Sequence, residues 1–144
     1  MRIEPFYCDM HIHTYPDANH TEGATYDAAT LLHNVRAKAQ RHRAMISLTD
    51  HNTINYQAYE DTLAACGNDV VVVLGVELHV KSNGPKPYHA HAYFNVPKID
   101  RQTVEPLNTL LNRLYPNKLP SASDNIPQLS EILNCLREYE FLFL

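Results

Sequence analysis

The stretch 70-VVVVLGVELHV-80 decides how the rest of the chain is read. An unbroken run of Val and Leu is the pattern of a strand buried on both faces, and such strands belong to parallel sheets covered by helices. Polar groups enter only near its end, where the two-residue alternation of a strand puts Glu77 and His79 on one face. Outward from this run, the segments 6–13 (FYCDMHIH), 44–51 (AMISLTDH), 89–96 (HAHAYFNV) and 141–144 (FLFL) also read as strands. The intervals between them carry helical spacing. In 25–43, Ala28, Leu31, Leu32, Val35 and Ala39 make one apolar face, with Thr25 placed to cap it. Further helices are expected over 56–66, 103–115 and 127–139, the last with Pro127 near its first turn, and 115–127 is a loop by its Pro, Ser and Asn content.

Strands that alternate with helices predict βα units and a mainly parallel sheet. An eightfold barrel of such units needs about 250 residues, so a 144-residue chain has room for part of one. A hydrophobic fraction of 44% with 19% charged residues suits a single folded domain over 1–144. The net charge of −4 excludes nucleic-acid binding by bulk positive charge. The basic run 36-RAKAQRHR-43 reads first as the end of a helix, where cations favour the dipole. Cys8, Cys66 and Cys135 have no CxxC spacing, which argues against a disulfide framework or a thiolate zinc site. Nothing in 1–9 looks like a signal peptide, and no stretch approaches the roughly 18 apolar residues of a membrane helix, so no membrane association and a cytoplasmic location are expected.

The chemistry lies in 9-DMHIH-13, 49-TDH-51, 75-GVE-77 and 89-HAHAY-93. By strand parity Tyr7, Asp9, His11 and His13 share a face, as do Ser47, Thr49 and His51, Glu77 and His79, and His89, His91 and Tyr93. The opposite faces are apolar, except for Asp50. One HxH in a strand is weak evidence, and TDH alone reads equally as a turn. Four such segments in order have one shared explanation, a site at the strand ends where α/β barrels place their chemistry. Imidazole and carboxylate without thiolate suit Zn, Mn or Fe. Lys81, Lys86 and Lys98 flank the expected mouth.

DMHIHT, ISLTDHNT, GVELHV and HAHAYF together resemble the PHP superfamily (polymerase and histidinol phosphatase), over nearly the whole chain and in the family's order. The resemblance implies a distorted (β/α)7 TIM-like barrel, here incomplete at its C-terminus, whose site takes two or three divalent Mn, Zn or Fe ions in a complete domain. It implies His11, His13, His51, Glu77 and His89 as metal ligands, with Asp17, or alternatively His20, as a further one. It places Asp9 and Asp50 beside ligands, orienting imidazoles, and His91 toward the substrate. The implied activity is metal-dependent hydrolysis of a phosphate ester, on a phosphorylated small molecule or on nucleic acid. The alternatives are a nuclease module of a longer chain with further domains such as an ATPase, or a non-catalytic metal- or partner-binding fragment. The family's later His and Asp-x-His motifs are absent and no His follows His91, so the chain reads as the first part of such a domain.

Overall fold

The structure, a computed structural model, describes residues 5–15, 26–118, 120 and 124–144. In chain order its elements are β1 (Phe6–Ile12), α1 (Ala28–Ala39), β2 (Arg43–Leu48), α2 (Tyr56–Ala65), β3 (Val70–Val80), β4 (Tyr88–Phe94), α3 (Arg101–Leu114), α4 (Leu129–Cys135) and β5 (Phe141–Phe143). The strands form one sheet in the order β1-β2-β3-β4-β5. β1, β2 and β3 run parallel, whereas β4 is antiparallel to both β3 and β5.

This corrects the expected barrel. Among the described residues the fold is an open, five-stranded mixed sheet with four helices, and it is not a (β/α)7 barrel. The reason lies in the link between β3 and β4. Only residues 81–87 join them, and a parallel crossover takes a dozen residues or more. The chain therefore folds straight back.

The helices begin and end where local chemistry requires. Asp27 caps α1, its carboxylate accepting the Thr30 N–H at 2.8 Å. Gln40, in the left-handed region at φ 49°, ends it. Thr25, the cap expected from sequence, lies outside the described residues. Asn55 and Asp100 cap α2 and α3 through their side chains, and Gln128 and Glu131 form a capping box at α4.

All four helices cover one face of the sheet. Leu48, Leu74, Val76, Leu78, Ala90, Ala92 and Phe94 pack under Ala58 and Tyr59 of α2, Val104, Leu107 and Leu111 of α3, and Ile132 and Leu136 of α4. Ala44, Ile46 and Val70 pack under Leu32, Val35 and Ala39 of α1. Each fully buried Leu or Val contributes about 1.5–3 kcal/mol relative to exposure. The other face carries no helix among the described residues, and Val71 and Val73 are only half-buried there. The valine run is thus sealed on one side, not on both.

Two local features shape the open face. β1 bulges: Asp9 pairs with Ile46 but Ile12 with Leu48, so one extra residue of β1 is accommodated between them. Tyr7 before the bulge and Ile12 after it both pack against the core under α1. Strict alternation would have put them on opposite faces. Across the sheet, the Tyr93 hydroxyl donates to the Met10 carbonyl at 2.9 Å, so a β4 side chain reaches β1 and the open face is cupped.

Tyr59 fastens β2 to β3. Its side chain is 0% exposed, and its hydroxyl accepts the Gly75 N–H at 2.8 Å and the Leu48 N–H at 3.2 Å while donating to the Leu48 carbonyl at 2.7 Å. Burial pushes the phenol well above the ordinary tyrosine range. Tyr59→Phe strands two buried peptide N–H groups, so it should destabilise the fold by about 1–3 kcal/mol with unchanged m-value in urea denaturation. A neutral effect would show that the hydroxyl does not bridge the strands.

Candidate functional site

The cupped face gathers the imidazoles by register. Beyond the bulge, β1 presents His11 and His13 opposite the end of β2, where the Thr49 N–H donates to the Ile12 carbonyl at 2.7 Å. His51 forms an isolated parallel bridge with Glu77, fixed by the Asn52 N–H on the Glu77 carbonyl at 2.7 Å and the Glu77 N–H on the Asp50 carbonyl at 3.1 Å. β4 then sets His91 opposite Glu77 and His89 opposite His79. β1 to β3 offer these groups at their C-terminal ends. β4, running the other way, offers them near its start.

Gly75 keeps the floor open. A Cβ there would collide with Ser47 Oγ and approach Tyr93 Cδ1 to 2.9 Å and Thr49 Cγ2 to 3.1 Å, so a side chain would unseat the groups beneath Glu77.

Glu77 is the hub. It is 2% exposed, yet its carboxylate faces four imidazoles. Oε1 lies 2.6 Å from His89 Nδ1, and Oε2 lies 2.9 Å from both His11 Nε2 and His13 Nε2 and 3.5 Å from His51 Nδ1. Burial alone would raise this carboxyl. Hydrogen bonding from His13, the charge of His51 and both effects from His11 outweigh it and hold the group well below the usual carboxylate range.

The donor set is the chemistry of a cation site. His11 Nε2 and His13 Nε2 stand 2.8 Å apart and share one carboxylate oxygen. Two imidazole lone pairs and an anion at that spacing repel unless protons or a cation lie among them. His91 Nε2 is buried with no hydrogen-bond partner among the described residues, and burial, then the charge of His11, lowers its pKa. Ligand-type atoms lie within 4.8 Å of one another in three sets: His13, His51 and Glu77; His11, Glu77 and His91; and His51, His79 and His89. The residues present therefore fit divalent ions that favour nitrogen and oxygen.

Six of the residues singled out in the sequence converge here: His11, His13, His51, Glu77, His89 and His91. Asp9 does not join them. The bulge pairs it with Ile46, whose side chain faces α1, so it leaves the face that His11 and His13 occupy. Asp50 is buried but bonds backbone rather than imidazole. Its Oδ1 accepts the N–H groups of Thr14 and Tyr15 at 2.6 and 2.8 Å, and its Oδ2 accepts the Thr14 hydroxyl at 2.5 Å. Asp17 and His20 lie outside the described residues. Lys98 follows β4 at the end of the sheet remote from the cluster, 3.4 Å from Asp100. At that remote end Leu63, Val72, Tyr93, Ile99 and Phe141 line an apolar groove of about 860 Å³, away from the titratable cluster. Parity put His79 on the face of Glu77 but passed over Asn52 and Thr14; their roles depend on hydrogen bonds between distant segments that no spacing rule reports.

Solved structures share this architecture. A candidate metal-dependent phosphoesterase from Bifidobacterium adolescentis superposes over 98% of this chain and 67% of its own, with a TM-score of 0.50 and 12% sequence identity. At that identity the likeness is one of fold. No family model matches the chain, and no curated protein sequence matches it.

The Asp50 geometry carries its own prediction. Asp50→Asn exchanges an acceptor for an amide donor opposite the Thr14 hydroxyl, which itself accepts from Asn55 at 2.8 Å. The variant should lose about 1–3 kcal/mol of stability in thermal or urea unfolding. Wild-type stability would show that the carboxylate does not anchor the segment after β1.

Proposed function

We propose that the chain is a metal-dependent phosphoric ester hydrolase whose ions are held by His11, His13, His51, Glu77, His89 and His91. The observation that carries this is the single buried Glu77 carboxylate ringed by four imidazoles, two of them 2.8 Å apart. The fold likeness to a candidate metal-dependent phosphoesterase supports it. Divalent ions held there would supply positive charge to a phosphate's oxygens and lower the pKa of water.

The chain's own residues do the rest. Glu77 offers one oxygen to His89 and the other toward His11, His13 and His51, so it suits a carboxylate shared between two ions. His11 and His89 are the more exposed members, with side chains 50% and 43% accessible, which supports a substrate approach over β1 and β4. Asp50 acts at a distance, holding the backbone of Thr14 and Tyr15 next to His13. Asp17 remains our candidate for a further ligand from the segment after β1. Lys81 and Lys86, in the link at the cluster's end of the sheet, add positive charge for an anionic ester.

The test is metal uptake followed by turnover. The metal-free chain, dialysed against Mn, Zn or Fe(II), should retain two or more equivalents by elemental analysis and then hydrolyse a simple phosphomonoester or phosphodiester. Glu77→Gln should weaken metal affinity by about tenfold or more and abolish turnover with the fold intact by circular dichroism, while His33→Ala, on α1, should match wild type. Full metal retention by Glu77→Gln would sink the assignment. Which ester turns over separates the monoester from the diester reading.

A further inference from the structure

His51 sits between two buried polar residues, Asp50 and Asn52, which are 2% and 0% exposed. Their backbones bracket Glu77. The Glu77 N–H donates to the Asp50 carbonyl at 3.1 Å, and the Asn52 N–H donates to the Glu77 carbonyl at 2.7 Å. Their side chains reach two different segments. Asp50 Oδ1 accepts the Tyr15 N–H at 2.8 Å, in the segment after β1. Asn52 Nδ2 donates to the Lys118 carbonyl at 2.8 Å, in the segment after α3, while its Oδ1 accepts the His79 N–H at 2.9 Å. Asn52 does this from the left-handed region at φ 56°, a conformation that Asn tolerates. Both neighbours of His51 thus hold the backbone of a residue at the surface.

The two residues held in this way meet. The Lys118 ammonium lies over the Tyr15 ring, 5.8 Å from its centroid, within the range of a cation–π contact. Tyr15 is 46% exposed, and Lys118 is exposed beside it. Among the described residues no carboxylate lies within ion-pair distance of that ammonium. Its charge is therefore steadied by a neutral ring and not cancelled by an anion. The pair belongs to the rim of the cluster. Tyr15 lies two residues beyond His13, whose Nε2 is 2.9 Å from Glu77 Oε2, and Lys118 is bonded to the residue that follows His51.

We propose that Tyr15 and Lys118 form a specificity clamp: while the cluster takes the phosphate that is cleaved, the Lys118 ammonium takes a second anionic group on the organic half of the ester. Tyr15 is the positioning residue and Lys118 makes the contact. An ammonium is a compact charge with three donors, so it suits a carboxylate or another phosphate alike. The clamp rests on the phosphoester reading of the site and adds the class of ester that it prefers.

Benzyl phosphate and 4-carboxybenzyl phosphate differ in that second anion alone, and their relative turnover is the test. On the metal-loaded chain, kcat/KM should favour the carboxylated ester about two- to fivefold at low salt, mostly through KM, and the gap should close near about 1 M salt. Lys118→Gln and Tyr15→Leu should each erase the preference. Lys118→Arg and Tyr15→Phe should keep it, which separates the clamp from misfolding. Lys98→Gln, which removes a cation at the far end of the sheet, should keep it as well. Equal kcat/KM for the two esters in wild type, a preference that survives Lys118→Gln, or one that Lys98→Gln also erases would each overturn the clamp alone. A wild-type chain that binds no metal or turns over neither ester would overturn the phosphoesterase reading, and the clamp with it.

Discussion

Burying the carboxylate of Glu77 constrains everything around it. An ionised group removed from water costs several kcal/mol unless partners replace its hydration. Here the partners are four imidazoles drawn from β1, the end of β2 and β4. Without them Glu77 would take up a proton or leave the interior. With them, the imidazoles in turn crowd one another, as His11 and His13 do at 2.8 Å. Each half of the cluster is unfavourable alone. A shared cation would relieve both at once.

The rest of the sheet serves that cluster. Gly75 has no side chain because Ser47, Thr49 and Tyr93 already fill the space. Tyr93 crosses below to Met10 and ties β4 to β1. Tyr59 approaches from the helical side and ties β2 to β3 through the peptide groups of Leu48 and Gly75. The same short stretch, 73–77, is thus gripped from both faces. It contains Glu77, whose displacement would release four imidazoles.

The strands and helices were legible because their periodicities are strong and their caps ordinary. That His11, His13, His51 and Glu77 would meet was also legible, since they sit at the C-terminal ends of predicted strands; His89 and His91 shared a face with the site by parity, but only the antiparallel β4 brings them to it. Two features escaped that reading for physical reasons. Alternation places Asp9 with His11, and only the β1 bulge separates them; a bulge inserts one residue with no reliable mark in composition. The direction of β4 was misread although the evidence was present, since residues 81–87 are too few for a crossover. Asn52 carries no distinctive local signal after TDH. Its role depends on Lys118 and His79 being brought together, which no local pattern encodes.

The reversal at β4 also explains how a five-stranded sheet assembles so dense a cluster. In a parallel arrangement the start of β4 would lie at the far end of the sheet from Glu77. Antiparallel pairing sets His91 against Glu77 and His89 against His79. Half of the cluster therefore belongs to one hairpin. That economy makes register critical. A slip of one residue would turn every imidazole of β4 to the helical face. A slip of two would keep the face but present the wrong histidine to Glu77. Contacts from outside the hairpin resist both errors. The backbone of His79 is held on one side by Asn52 and on the other by Tyr115, and the Lys81 N–H donates to the Pro127 carbonyl at 2.9 Å. Asn52 and Tyr115, which hold the backbone of His79, thus also fix which histidine Glu77 meets.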